Sequence, residues 1–82
     1  MPAICTFYGI VISMYFNDHL PPHIHARYGE YQAQILIADG SVLDGELPIR
    51  AEQLVKEWVQ INKSALENQW KTQRIQQLPP LK

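Results

Sequence analysis

The sequence predicts an α+β fold: a small antiparallel sheet of three to four strands, followed by two C-terminal helices packed on one of its faces. Three observations carry that prediction. The run Ile10–Phe16 is β-branched and aromatic, and Tyr31–Ile37 alternates apolar with polar residues. Turn signals at Gly29-Glu30 and Asp39-Gly40 divide the first half of the chain into short runs. Beyond Pro48 the apolar residues switch to helical spacing.

Ile10-Val11-Ile12-Ser13-Met14-Tyr15-Phe16 reads as a strand mostly buried on both faces. Residues 4 to 8 are an optional further strand before Gly9. Asn17-Asp18-His19-Leu20-Pro21-Pro22 ends the first run, because two prolines donate no backbone hydrogen bond and hold φ near about −65°. His23-Ile24-His25-Ala26-Arg27-Tyr28 is the next strand, and Gly29-Glu30 turns it into Tyr31-Gln32-Ala33-Gln34-Ile35-Leu36-Ile37. In that third run Tyr31, Ala33, Ile35 and Ile37 share one face, and Gln32 and Gln34 take the other. Asp39-Gly40 leads into a short fourth strand at Ser41-Val42-Leu43.

Pro48 suits the first turn of a helix and Glu52 its positive end. Ala51, Leu54, Val55, Trp58 and Ile61 or Asn62 then mark an amphipathic helix over about residues 49–62. Ser64-Ala65-Leu66-Glu67 has the form of a capping box and predicts the start of a second helix. Leu66 and Trp70 lie one turn apart on its inner face. Pro79-Pro80 ends it, leaving a frayed tail. The organisation is one domain, residues 1–82, with strands over about 4–45, two helices over about 48–77 and a tail at 78–82.

A hydrophobic content of 46% with 18% charged residues describes a globular chain, not a disordered one. The net charge of −1 provides no field to hold nucleic acid non-specifically, so a nucleic-acid partner draws no support from charge. Cys5 is the single cysteine, which excludes an internal disulfide. The first residues lack a basic, apolar leader, and the apolar run from Gly9 to Phe16 is too short to cross a bilayer. A cytoplasmic protein with no membrane association is expected. The phosphate-binding, dinucleotide-binding and nucleophile-elbow glycine motifs are absent.

All three histidines fall within seven residues, at His19, His23 and His25. On a strand His23 and His25 point to the same side with Cα atoms ~6.5–7 Å apart, and Arg27 joins their row. Three chemistries are open to that row. As metal ligands, His23 and His25 would be completed by His19 or Asp18 folded back across the Pro-Pro turn, holding zinc or another divalent ion. As a catalytic set, the two imidazoles would act as general base and acid while Arg27 holds a phosphate. As plain surface, the row is the solvated or partner-facing side of a half-buried sheet. The remaining residues have ordinary explanations. Trp58 and Trp70 fit core stripes, and the lysines of the helices alternate with glutamates on a solvated face. Asp39, Asp44 and Glu46 shape turns, and Cys5 is a small buried hydrophobe.

Asn17-Asp18-His19-Leu20-Pro21-Pro22-His23-Ile24-His25-Ala26, with Tyr28-Gly29-Glu30-Tyr31, Gly45-x-Leu47-Pro48-x-Arg50, Glu57-Trp58 and Asn68-Gln69-Trp70, resembles a bacterial family, domain of unknown function 4160. The resemblance spans nearly the whole chain, and Ile24 stands where an aromatic residue is common. It implies a small bacterial or archaeal protein with no established activity. It further implies a gene neighbour, domain of unknown function 2442, and hence a regulatory or toxin–antitoxin-like pair. Two functions follow. The first is a binding module for a small protein encoded by a neighbouring gene, with a second copy of the chain as the other available partner. The second is a histidine- or metal-dependent enzyme acting on RNA or another phosphodiester, with His23, His25 and Arg27 at its centre and His19 in support.

Overall fold

The computed structural model of the protein describes residues 3–15 and 19–81. Among the described residues the chain forms β1 (Ala3–Phe7), β2 (Ile10–Ser13), β3 (His23–Tyr28), β4 (Tyr31–Leu36), β5 (Val42–Gly45), α1 (Ile49–Ile61) and α2 (Lys63–Thr72). The strands make one antiparallel meander in the order β1-β2-β3-β4-β5. The α+β class stands, but the sheet has five strands rather than three to four. The physical reason is the turn at Tyr8-Gly9. Both residues have positive φ, 51° and 80°, as a two-residue type I′ hairpin turn requires. Tyrosine is a poor residue for that conformation, so the sequence carries only half of the turn signal there. The apolar run that reads as one strand from residue 10 onward thus gains an edge strand of its own at β1.

Ladder pairing fixes which residues share a face. Ile12 lies opposite Ala26, Ile10 opposite Tyr28, Ala26 opposite Ala33 and Ile24 opposite Ile35. These residues, Tyr28 apart, are buried against Ala51, Val55, Trp58 and Val59 of α1 and Leu66 of α2. The ring of Trp58 packs on Phe7 at 5.7 Å between centroids. Cys5 pairs with Ile12 and belongs to this core face. On β5, Gly45 (φ +84) is required, because a Cβ there would run into the Gln32 carbonyl.

The helices join without a loop. Asn62 donates from its backbone N–H and from Nδ2 to the Trp58 carbonyl, both at 3.0 Å, which closes α1. Its own carbonyl accepts the Leu66 N–H at 2.9 Å, which opens α2. The helix therefore begins at Lys63, with Asn62 and not Ser64 as its flanking residue, and the expected capping box is not the start signal. α2 ends at Gln73 in the left-handed conformation (φ 57°). Over its described residues the tail is tied to the fold rather than frayed. Gln76 O accepts Gln69 Nε2 (3.0 Å), Gln77 Nε2 donates to Ala3 O (2.9 Å), and Leu78 N donates to Ile4 O (3.2 Å). It runs along the outer side of β1 and ends against α1, where Trp58 Nε1 donates to Pro79 O at 2.9 Å. No helix among the described residues is long and apolar enough to cross a membrane.

Candidate functional site

The face of the sheet opposite the helices carries two polar rows. Ser13, His25, Gln34 and Asp44 lie side by side across β2, β3, β4 and β5. Val11, Arg27 and Gln32 form the next row. Together with Tyr15 they line an open groove of about 410 Å³. That volume falls in the about 300–1,000 Å³ range of ligand clefts. Arg27 and Gln32 are exposed, His25 and Gln34 half-buried, and Ser13 buried at the floor. The Gln34 Oε1 atom is buried and has no hydrogen-bond partner. A buried acceptor left unpaired costs about 1–3 kcal/mol.

The histidines converge, but not on one open point. His19 and His23 stack at 4.7 Å between ring centroids, and His23 and His25 lie 5.1 Å apart. Tyr15 meets His25 edge-on at 4.5 Å, and Trp70 covers His23 at 5.4 Å. The result is a ladder of rings from an exposed turn, through a buried centre, to the groove. His23 is 0% exposed, and its Nδ1–H donates to Pro21 O at 2.8 Å. His19 is exposed, its Nδ1 donating to Leu20 O at 3.3 Å. The Leu20–Pro21 peptide bond, between the two rings, is cis.

Of the catalytic trio read from sequence, the groove receives His25 and Arg27, while His23 lies behind them as a supporting ring. Of the metal set, His19, His23 and His25 are neighbours, and Asp18 lies outside the described residues. An imidazole ligates a metal through an in-plane lone pair, so face-to-face rings such as His19 and His23 direct their lone pairs along near-parallel planes. Among the described residues no three His, Cys, Asp or Glu side chains are grouped to hold an ion. Cys5 is removed from this chemistry. It sits on the other face, and burial pushes its thiol above the ordinary range, with a backbone hydrogen bond at Thr6 opposing.

Ser13, Gln32, Gln34 and Asp44 join the site through strand register, and Trp70 through α2. The alternation of Gln32 and Gln34 against Ala33 and Ile35 was the available signal for the first group. Combined with a two-residue turn at Gly29-Glu30, it places both glutamines opposite the His25/Arg27 row. No local signal exists for Trp70, which reaches His23 across 47 positions of sequence (70 − 23).

A family model described as Domain of unknown function (DUF4160) matches residues 9–71, which contain the whole groove and the histidine ladder. No curated protein matches the chain. No solved structure matches it.

Proposed function

We propose that this chain, which belongs to the Domain of unknown function (DUF4160) family, is a binding module that engages a small protein partner through the polar face of its sheet. The observation that supports this reading is the groove itself. It presents a guanidinium, an imidazole, a phenol and two carboxamides. Tyr15 and Arg27 are the residue types that dominate binding energy at interfaces. The partner taken for this reading is the one the family resemblance implies: the product of a neighbouring gene, in a regulatory or toxin–antitoxin-like pair.

The test is co-expression with that neighbour followed by size-exclusion chromatography. The two chains are expected to co-elute, and Arg27→Glu combined with Tyr15→Ala to separate them. Arg27 is exposed and Tyr15 half-buried, so the double variant keeps its circular dichroism spectrum. A neighbour that never co-elutes, or a complex indifferent to both substitutions, removes the proposal.

A second reading has one observation in its favour. His25 and Arg27 stand on one strand face beside Tyr15, an acid–base group next to a phosphate-binding cation. This would be a histidine-dependent enzyme on RNA or another phosphodiester. In its metal form His19, His23, His25 and Asp18 would supply ligands to zinc or another divalent ion. RNA cleavage that persists in a folded His25→Ala variant counts it out, and metal analysis of untagged protein separates its two forms.

A further inference from the structure

The groove on the polar face has a floor and two walls of different charge. Strand β4 supplies the floor with Gln32 and Gln34. On its β3 side stand Arg27, opposite Gln32, and His25, opposite Gln34. On its β5 side stands Asp44, opposite Gln34. Glu46 follows on that side, its N–H donating to the Gln32 carbonyl at 2.9 Å. Arg27, Gln32, Asp44 and Glu46 are exposed, while His25 and Gln34 are half-buried. Neighbouring strands lie about 4.8 Å apart, so the β3 and β5 walls are separated by roughly 10 Å. Positive charge is thus held on one side of the glutamine floor and negative charge on the other.

An extended peptide matches this layout in two ways. Its backbone repeats every two residues, about 6.6 Å, and Gln32 and Gln34 stand two residues apart on one strand. Lying edge-on over β4, alternate residues of such a peptide turn both N–H and C=O toward the floor. Each carboxamide carries a donor and an acceptor to meet them. Among the described residues Gln34 Oε1 has no hydrogen-bond partner, so turning this carboxamide toward a ligand breaks no bond at that oxygen. The side chains of the same peptide alternate between its two sides. One set meets Arg27 and His25, and the other meets Asp44 and Glu46. We propose that the groove takes an extended segment of a partner protein in which acidic residues alternate with basic ones, the acids on the β3 wall and the bases on the β5 wall. The proposal rests on the binding-module reading and names the part of the partner that enters the groove. A guanidinium holds a carboxylate through two parallel N–H bonds, so Arg27 is the main anchor. The carboxamides select extended backbone of any sequence, and the walls select its charge pattern. A block of like charge satisfies one wall and meets its own sign at the other.

The probes are two capped peptides of one composition, Glu-Lys-Glu-Lys-Glu-Lys and Glu-Glu-Glu-Lys-Lys-Lys, both neutral overall and too short to hold a helix. Each is titrated into the full ¹⁵N-labelled chain at low salt, where screening is weak. Backbone resonances of β3 and β4 report occupancy. The alternating peptide is expected to bind roughly tenfold tighter than the block peptide. Arg27→Gln or Asp44→Lys cuts that preference to about threefold or less. Gln32→Ala, at an exposed position, weakens both peptides while the thermal midpoint holds. Equal affinity of the two peptides overturns the proposal. So does a preference that survives both charge substitutions, or an RNA oligonucleotide that moves these resonances where neither peptide does. The complex with the neighbouring gene's product is measured separately. If it forms and is indifferent to Asp44→Lys and Gln32→Ala, the extended segment is overturned and the binding-module reading stands. If the peptides discriminate and that neighbour never binds, the groove keeps its occupant class and the neighbour is removed as its source.

Discussion

The two faces of strand β3 differ in what they ask of their residues. Ile24 and Ala26 point into a core where Ile12, Ile35, Val55 and Trp58 are all buried. His25 and Arg27, one residue out of phase, point into an open groove whose polar groups meet no apolar layer. Stability is concentrated on the first face, and the recognition proposed here falls on the second. Neighbouring residues in sequence therefore have opposite mutational consequences. His23 breaks the pattern: it belongs by register to the polar face, yet it is as buried as the core. Its ring is covered by Trp70 of α2, so at this one position the polar side of the strand is not left open.

The largest effect is expected at the helix-covered face. Trp58→Ala removes the ring packed on Phe7 and the donor to Pro79 O. A loss of about 3–5 kcal/mol is expected, a large part of the roughly 5–15 kcal/mol that folds a domain. Urea unfolding measures it. A loss of under about 1 kcal/mol would mean that the core face does not carry the fold, and the contrast between faces would collapse.

The next effect sharpens the exception. His23→Ala leaves a cavity beneath Trp70 and strips Pro21 O of its donor, at a cost of about 2–4 kcal/mol. His25→Ala, two residues on, loses mainly an edge-on contact with Tyr15, at a cost under about 1.5 kcal/mol. Thermal melts of the two variants decide it. If they shift equally, His23 is not a supporting ring but one more groove residue.

The periodicity of the residues made the helices, the β3–β4 hairpin and the His25/Arg27 row legible, because each rests on local spacing confirmed over several residues. What escaped has a physical cause in each case. β1 was optional because its turn places a tyrosine where glycine or asparagine would advertise the conformation. The start of α2 was misplaced because Asn62 serves two helices at once, and the Ser64–Glu67 pattern falls one residue inside. The tail read as frayed because its partners, Ala3, Ile4 and Trp58, are far away in sequence. The clustering of the histidines pointed to a site. Their sorting into one exposed, one buried and one groove-facing ring depends on Trp70 and strand register, which local spacing does not encode.

The smallest expected effect lies in the β4–β5 connection, outside both faces. Asp39 accepts hydrogen bonds from Ser41 Oγ at 2.7 Å and Ser41 N at 2.9 Å. These two bonds, with Lys56 nearby, hold its carboxyl below the ordinary aspartate range. A carboxylate whose pKa is lower when folded contributes stability above its unfolded pKa of about 3.9, and that contribution is lost as pH falls through the lower, folded value. Asp39→Ala should therefore lower the thermal midpoint slightly at neutral pH, and the gap from the unmodified chain should close in the acid range below pH of about 4. The group is fully exposed, so solvent screening keeps the effect small. Gly40 turns tightly against Lys56, which ties this turn to α1. A gap that stays constant with pH would show that Asp39 acts by shaping the turn and not through its charge.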